Sequence, residues 1–203
     1  MSTRKREHPA PGTGATRQAG PQPPWGGPAA AGLKQAAPSA IGLRRAGPGE
    51  ELNLLAGQLY LGRQAAQVRT LLGSCVAVTV WHPRERLGGM CHFLLPQRNR
   101  KPEEPRDGRY GDEALALMVE AMQRNGLPSS GFEAHLYGGA DTLPDRAGMR
   151  FNVGERNIEQ GWALIEHYGF TLLGVDVGDH VPRHVCLNLA DGDVQMRRGQ
   201  PVK

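Results

Sequence analysis

Long apolar runs are absent from this sequence, and that absence excludes several classes of protein. No stretch approaches the roughly 20 apolar residues that a membrane-spanning helix requires. The charged start, Met1-Ser2-Thr3-Arg4-Lys5-Arg6, is not followed by the apolar run of a secretory signal. The sequence therefore predicts a cytoplasmic protein that does not insert into a membrane.

Cysteine is also scarce. The chain has three cysteines, Cys75, Cys91 and Cys186, and an odd number cannot all pair within one chain. Without an export signal, free thiols in a reducing compartment are expected. The sequence contains no Cys-x-x-Cys pair, no internal repeat and no phosphate-binding glycine pattern between a strand and a helix. Nucleotide chemistry is unsupported, and no cofactor is expected.

The first fifty residues differ in composition from the rest of the 203-residue chain. They contain nine Gly, eight Pro and ten Ala, and seven Lys or Arg against two Asp or Glu. Such a stretch buries too little apolar surface to offset the entropy of ordering it. We predict a disordered basic tail over 1–49 and one folded domain over 50–203. A nucleic-acid or anionic-membrane arm is the alternative, but a solvated tail is the simpler interpretation.

Alternating and helical patterns predict a mixed α/β fold for the domain. A helix is expected from an N-cap at Asp112 to a stop at Gly126, and a second over 154–168 ending at Gly169. Strands are expected over 51–62, 67–72, 75–81, 88–95, 133–138, 171–177 and 184–189, with a last hairpin turning at 190–193. This order favours a mixed, layered α/β(β) sandwich with antiparallel hairpins over a regular βαβ series.

Cys75 and His92 are predicted to face each other across a hairpin. A two-residue loop (Pro83-Arg84) or a four-residue loop (82–85) makes the numbers of opposed residues sum to 167, as those of Cys75 and His92 do. Directly opposed residues have Cβ atoms about 4.5–5.5 Å apart. Cys91 would then lie on the other face of the sheet, opposite Val76 in the core.

The residues before Cys75 also suit a nucleophile. Gly73 and Ser74 allow a sharp bend that leaves backbone N–H groups free, as an oxyanion hole requires. A neighbouring imidazole would lower the pKa of the thiol and favour the attacking thiolate. The alternative is a buried cysteine and a histidine that face each other by chance.

Several separated motifs are spread over roughly residues 51–198. They are Leu71-Leu72-Gly73-Ser74-Cys75-Val76-Ala77-Val78, Gly88-Gly89-Met90-Cys91-His92-Phe93-Leu94-Leu95-Pro96, Tyr137-Gly138-Gly139-Ala140, Val153-Gly154-Glu155-Arg156-Asn157-Ile158, Asp176-Val177-Gly178 and Arg183-His184-Val185. In this order they resemble the signature of the CheD family of chemoreceptor glutamine deamidases. The run 178–184 departs from the glycine-rich pattern of the family, which leaves details of the substrate groove open.

The resemblance implies a cysteine hydrolase that converts receptor glutamines to glutamates in bacterial chemotaxis through a thioester. It implies Cys75 as nucleophile, His92 as base and Thr70 as the third site residue, in an α/β layered fold. Arg156 and Asn157 would open a helix near the groove and either orient the site or pair locally. Methyl-accepting chemotaxis receptors, and in some species a CheC-type phosphatase, would be the partners; receptor methyl esters are a further substrate that the chemistry allows.

Three alternatives compete with this interpretation. A metal site could use His180, His184 and Cys186, joined by Cys75, Cys91 and His92, but without a Cys-x-x-Cys pair no metal is expected. A non-catalytic chemotaxis protein would bind receptors or a CheC-type phosphatase without needing Cys75 or His92. A cysteine peptidase or amidase with another substrate would share the same motif chemistry.

Overall fold

A computed structural model describes residues 40–141 and 153–200. In these residues the chain forms strands β1 (Glu51–Leu54), β2 (Leu59–Gly62), β3 (Gln67–Leu72), β4 (Val76–His82), β5 (Leu87–Phe93), β6 (Glu133–Gly138), β7 (Thr171–Val177), β8 (Arg183–Asn188) and β9 (Val194–Arg198), helices α1 (Gly111–Arg124) and α2 (Val153–His167), and a short 3₁₀ helix (Ser129–Gly131). Neither α-helix has the length and apolarity needed to cross a membrane.

The strands form two sheets. A five-stranded sheet has the order β2-β5-β4-β6-β7, and a four-stranded sheet has the order β1-β3-β8-β9. One core lies between the helices and the five-stranded sheet, and a second core lies between the two sheets. The predicted mixed, layered α/β sandwich is confirmed.

Strand β4, in the central layer, is covered on both faces and is mostly apolar. Val76, Val78 and Val80 belong to the core under the helices, whereas Ala77 and Trp81 belong to the core between the sheets. Because successive side chains of a strand point to opposite faces, a strand covered on both sides carries a nearly continuous apolar run.

The first helix begins differently from the prediction. Asp112 is not its N-cap; the helix starts at Gly111, and its capping position is Tyr110 without a side-chain hydrogen bond. The loop before it supplies acceptors instead, since the Gly111 and Asp112 amides donate to the carbonyls of Leu95 and Pro96 at 2.9 and 3.2 Å. A side-chain cap is therefore unnecessary.

Glycines terminate both helices as predicted. Gly126 and Gly169, which follow α1 and α2, have φ of 73° and 69°. This left-handed conformation is easily reached by glycine and ends a helix.

The end of the predicted tail is bonded to the domain. Ile41 and Leu43 form isolated bridges with Asp107 and Leu59, and the Gly49 amide donates to the Gln64 carbonyl at 2.8 Å. The prediction of disorder is therefore wrong for 40–49, because backbone pairing holds a segment whose composition alone gives no ordering signal. Residues 1–39 of the predicted tail lie outside the described residues.

Candidate active site

The β4–β5 hairpin has a register two residues away from the predicted one. Ala77 pairs with His92, and the ladder continues to a last pair between His82 and Leu87. The turn is therefore 83–86, and Arg86 closes it with a left-handed φ of 50°. Cys75 is not directly opposite His92, and Cys91 lies opposite Val78 instead of Val76.

A shift of two residues keeps each side chain on its predicted face. His92 shares the face of Ala77 and Met90, which belong to the core between the sheets. Cys75 immediately precedes β4 and packs, half-buried, against the same core. The thiol and the imidazole therefore lie on one side of the sheet in diagonal relation. Diagonal neighbours in a regular ladder are about 7–8 Å apart, and their Cβ atoms are somewhat closer.

Cys91 lies on the opposite face, in the core under the helices. It is completely buried there beside Val78. Burial raises the pKa of its thiol to about 12. Cys91 is a core residue, as predicted.

Thr70 connects the imidazole to the four-stranded sheet. Its Oγ1 lies 2.7 Å from Nδ1 of His92 and 2.8 Å from the Leu54 carbonyl oxygen. The hydroxyl has one proton and a carbonyl oxygen can only accept, so Thr70 donates to Leu54 and the ring Nδ1–H donates to Thr70. This arrangement assigns the ring proton to Nδ1 and leaves a lone pair on Nε2.

His92 has the properties of a neutral base. Its side chain is buried, and Nε2 has no hydrogen-bond partner among the described residues. Burial lowers the pKa of His92 to about 4, although the Leu54 carbonyl partly opposes that shift. At neutral pH the ring is therefore uncharged and able to accept a proton on Nε2.

The Cys75 thiol is protonated in this state. Burial raises its pKa, and its own backbone amide opposes the shift. The predicted lowering by a neighbouring imidazole is wrong here, because an uncharged His92 provides no positive charge to stabilise a thiolate. The resting pair is a thiol and a neutral imidazole.

Over the described parts of the chain, the carbonyls of the bend at residues 73–75 accept hydrogen bonds, whereas its amides donate to no other residue. The Gly73, Ser74 and Cys75 carbonyls accept from the Ala140 amide, the Asn157 side chain and the Gly139 amide at 2.9, 3.1 and 2.8 Å. None of the three amides at 73–75 donates a hydrogen bond to another residue within 40–141 or 153–200. Free amides beside the thiol are what the sequence predicted for an oxyanion hole.

Glycine allows the strand β6 terminus to approach Cys75 closely. Gly138 has a φ of 109°, and a Cβ at this position would lie 2.2 Å from the Cys75 carbonyl oxygen. A Cβ on Gly154, at the start of α2, would lie 2.5 Å from the Gly139 carbonyl oxygen. Both contacts are too short for any side chain, so glycines set the path of the chain around the thiol.

Arg156 and Asn157, which the sequence singled out together, have different environments on α2. Asn157 is fully buried, and its Nδ2 donates to the Ser74 and Leu94 carbonyls at 3.1 and 2.8 Å. Arg156 is exposed on α2. Asn157 is the one whose side chain reaches the loop bearing Cys75.

An ion pair between a fully buried arginine and a partly exposed aspartate lies at the far end of the same inter-sheet layer. His92, Ala77, Tyr137 and Asp176 are consecutive neighbours across the five-stranded sheet. Arg183, from the other sheet, is fully buried and donates from Nε to Asp176 Oδ1 at 2.6 Å. Sequence analysis assigned this pair no role; the signal that could have found it is the alternation of Arg183 with the apolar Val185 and Leu187, which places all three on one face of β8.

The residues of the metal alternative do not come together. His184 is exposed, while the Cys186 thiol donates to the Gln67 side chain at 3.5 Å. Over the described parts of the chain, no group of three or more His, Cys, Asp or Glu residues is arranged to hold a metal ion. The geometry gives that alternative no support.

Comparison with known proteins identifies close relatives. A family model described as CheD chemotactic sensory transduction matches residues 94–198, a span that begins after His92. A probable chemoreceptor glutamine deamidase CheD 1 of Chromobacterium violaceum is 40% identical over 156 residues, which cover 76% of this chain and 81% of that protein. A probable chemoreceptor glutamine deamidase CheD of Pseudomonas fluorescens is 42% identical over 154 residues, covering 75% of this chain and 86% of that protein. Among solved structures, the Bacillus licheniformis hypothetical protein YfiH aligns with a TM-score of 0.37 at 13% identity, over 58% of this chain and 49% of that one.

Proposed function

Because the chain belongs to the CheD family, we propose that it is a protein-glutamine deamidase that converts glutamines of bacterial chemoreceptors to glutamates. Its relatives are named as probable chemoreceptor glutamine deamidases. The observation that carries the proposal is the buried His92, whose Nδ1–H is held by Thr70 and whose free Nε2 lies on the face of the sheet shared with Cys75.

In the first step, Cys75 attacks the side-chain carboxamide of a glutamine. As the sulfur–carbon bond forms, the thiol proton passes to Nε2 of His92, and the carbonyl electrons move to the oxygen. The free amides at 73–75 donate to this oxyanion. Proton transfer during attack suits the neutral resting pair, since no stored thiolate is needed.

In the next step, the His92 imidazolium returns the proton to the leaving nitrogen of the glutamine carboxamide. Ammonia departs and a thioester remains on Cys75. Neutral His92 then takes a proton from water, which attacks the thioester carbon. Collapse of the second tetrahedral intermediate releases glutamate and returns a proton to the sulfur. During both formation and hydrolysis of the thioester, Thr70 keeps the ring proton on Nδ1, so that Nε2 faces the reacting atoms.

The proposal also covers the cellular compartment in which the protein acts and the proteins that it binds. The protein acts in the cytoplasm on methyl-accepting chemotaxis receptors, whose modified glutamates gain a negative charge and a site for methylation. A CheC-type phosphatase is proposed as a further partner on the family resemblance alone.

The test is mass spectrometry of a receptor cytoplasmic fragment before and after incubation with the full chain, together with an assay for released ammonia. The wild-type protein is expected to convert specific glutamines to glutamates, and Cys75→Ala is expected to lose at least about a thousand-fold in rate. Cys186→Ala, which removes a thiol from the outer face of the other sheet, is the control and should retain activity. Deamidation by folded Cys75→Ala at the wild-type rate would end the proposed mechanism.

A further inference from the structure

Asn157 joins the two chain segments that bear the nucleophile and the base. Its side chain is fully buried, and Nδ2 donates to the Ser74 carbonyl at 3.1 Å and the Leu94 carbonyl at 2.8 Å. Ser74 precedes Cys75, and Leu94 lies two residues after His92. Because both neighbours are carbonyl oxygens, which only accept, the amide nitrogen must be the atom that faces them.

The two hydrogen bonds of the Asn157 side chain lie where the β4–β5 ladder ends. Val76 and Phe93 form the last pair on this side, so Cys75 and Leu94 would come next. Instead the strands part: the Leu94 amide donates to the Arg109 carbonyl at 2.9 Å, and the Leu94 carbonyl accepts from Asn157. The Asn157 amide thus holds two carbonyls just beyond the end of the ladder, one on each side of the hairpin.

Planarity of the peptide bond gives this bridge a chemical consequence. The Ser74 carbonyl and the Cys75 N–H belong to one trans peptide and point in opposite directions. Holding the carbonyl toward Asn157 therefore directs the Cys75 N–H away from α2. The same rule fixes the Ser74 N–H, since the Gly73 carbonyl is held by the Ala140 amide.

We propose that Asn157 is a positioning residue that sets the direction of the Cys75 N–H and thereby forms the oxyanion hole. This inference rests on the proposed deamidase function. Of the three carbonyls at 73–75, those of Gly73 and Cys75 are held by backbone amides, whereas that of Ser74 is held by a side chain. Without the Asn157 donor, the Ser74–Cys75 peptide can rotate and present its carbonyl dipole to the developing negative charge.

Asn157→Asp tests this role with little change in size. The carboxylate removes both donors and places negative charge against two carbonyl oxygens. We expect kcat to fall about a hundred-fold, as loss of one oxyanion donor does in other hydrolases, with KM within roughly three-fold of the wild-type value because ground-state binding is unchanged. The variant should recover part of its activity as pH falls toward 5, since a protonated carboxyl regains one O–H donor. Asn125→Asp is the matched control: Asn125 also donates to a carbonyl, that of Ala121 at 2.8 Å, but at the end of α1.

A second measurement distinguishes peptide orientation from general damage. Alkylation of Cys75 by iodoacetamide passes through no oxyanion, so its rate in Asn157→Asp should stay within about three-fold of wild type while deamidation is lost. If Asp at 157 prevents folding, Asn157→Ser keeps one donor and should show an intermediate kcat with the same alkylation rate. Unchanged kcat in the folded variant, or a parallel loss of alkylation and deamidation, would overturn the inference. If the wild-type protein itself fails to deamidate receptor glutamines, the proposed function fails instead.

Discussion

Thr70 Oγ1 lies 2.7 Å from Nδ1 of His92, although the two residues belong to different sheets. Thr70 donates its hydroxyl hydrogen bond to the Leu54 carbonyl on β1, so it can serve the ring only as an acceptor. One hydroxyl therefore determines which nitrogen of the base is free. The orientation of the base depends on how the four-stranded sheet packs against the five-stranded sheet.

Thr70→Val should reduce kcat roughly ten- to a hundred-fold, a loss comparable to that seen when the hydrogen-bond partner of a metal-ligating histidine is removed. The valine keeps the shape of the side chain but cannot accept the Nδ1 proton, so His92 loses its fixed tautomer. Steady-state ammonia release is the measurement. Thr79→Val is the matched control, since Thr79 Oγ1 lies 3.3 Å from Nδ1 of His135. Equal losses in the two variants would contradict a specific role for Thr70.

The pH dependence of kcat/KM should reveal the unusual acidity of His92. As the proposed base, His92 works only while neutral, and with a folded-state pKa of about 4 it stays neutral well below pH 6. We expect kcat/KM to hold between pH 7 and 5 and to fall near pH 4. A fall in kcat/KM centred near the ordinary histidine pKa of about 6.5 would contradict the lowered pKa of the buried His92.

The lowered pKa of His92 also makes the free energy of unfolding depend on pH. In the unfolded chain the His92 ring has its ordinary pKa of about 6.5, so between that value and about 4 the unfolded state binds the proton preferentially. The contribution of His92 to stability is complete above pH 6.5 and is lost as pH falls toward 4. Urea unfolding at several pH values should show a decline of about 3 kcal/mol from this residue.

Gly138→Ala should lower activity more than its backbone strain alone explains. Its φ is 109°, and the added Cβ would meet the Cys75 carbonyl oxygen at 2.2 Å, so the nucleophile must move. Gly169→Ala is the control, because its φ is 69° and nothing lies within 4 Å of the added Cβ. Both variants should lose about 1–2 kcal/mol of stability from the left-handed conformation. Only Gly138→Ala should slow Cys75 alkylation and deamidation; normal rates in that variant would show that the contact does not position Cys75.

Asp176→Asn should destabilise the fold strongly. Arg183 is fully buried and Asp176 is its carboxylate partner, so the change leaves a buried cation without a counter-charge. Although burial raises the pKa of Asp176, hydrogen bonds from Arg183 and Arg198 lower it overall, so the carboxylate is charged at neutral pH. We expect a loss of about 3–5 kcal/mol in urea unfolding.

The matched control for Asp176→Asn is Glu51→Gln, which breaks an exposed pair with Arg69. Exposed pairs contribute about 0–1 kcal/mol. A loss of that small size in Asp176→Asn would contradict a structural role for the Arg183–Asp176 pair.

The face on which Cys75 and His92 lie was predictable, but their register was not. Side-chain alternation has a period of two residues, so a register shift of two leaves both on the predicted side. The turn itself was misplaced because Arg86 takes a left-handed conformation that its residue type does not signal.

Contacts that depend on packing between distant segments had no local signal. The Leu54 carbonyl that accepts from Thr70, and the Asn157 bridge between 74 and 94, join residues far apart in the chain. Family resemblance named Thr70, and a local motif named Asn157, but their hydrogen bonds follow only from the docking of β1, β3 and α2. The segment 40–49 was misassigned for the same reason, since its order comes from backbone pairing with 59 and 106–108.

The placement of β8 in the four-stranded sheet sets when the site can form during synthesis. β3 carries Thr70 and pairs with β8, which begins only at Arg183. A nascent chain that has emerged from the ribosome only up to β7 already contains Cys75 and His92. Its β3, however, lacks β8, one of its two neighbouring strands. The strand that carries Thr70 therefore gains both of its neighbours only after β8 has been translated.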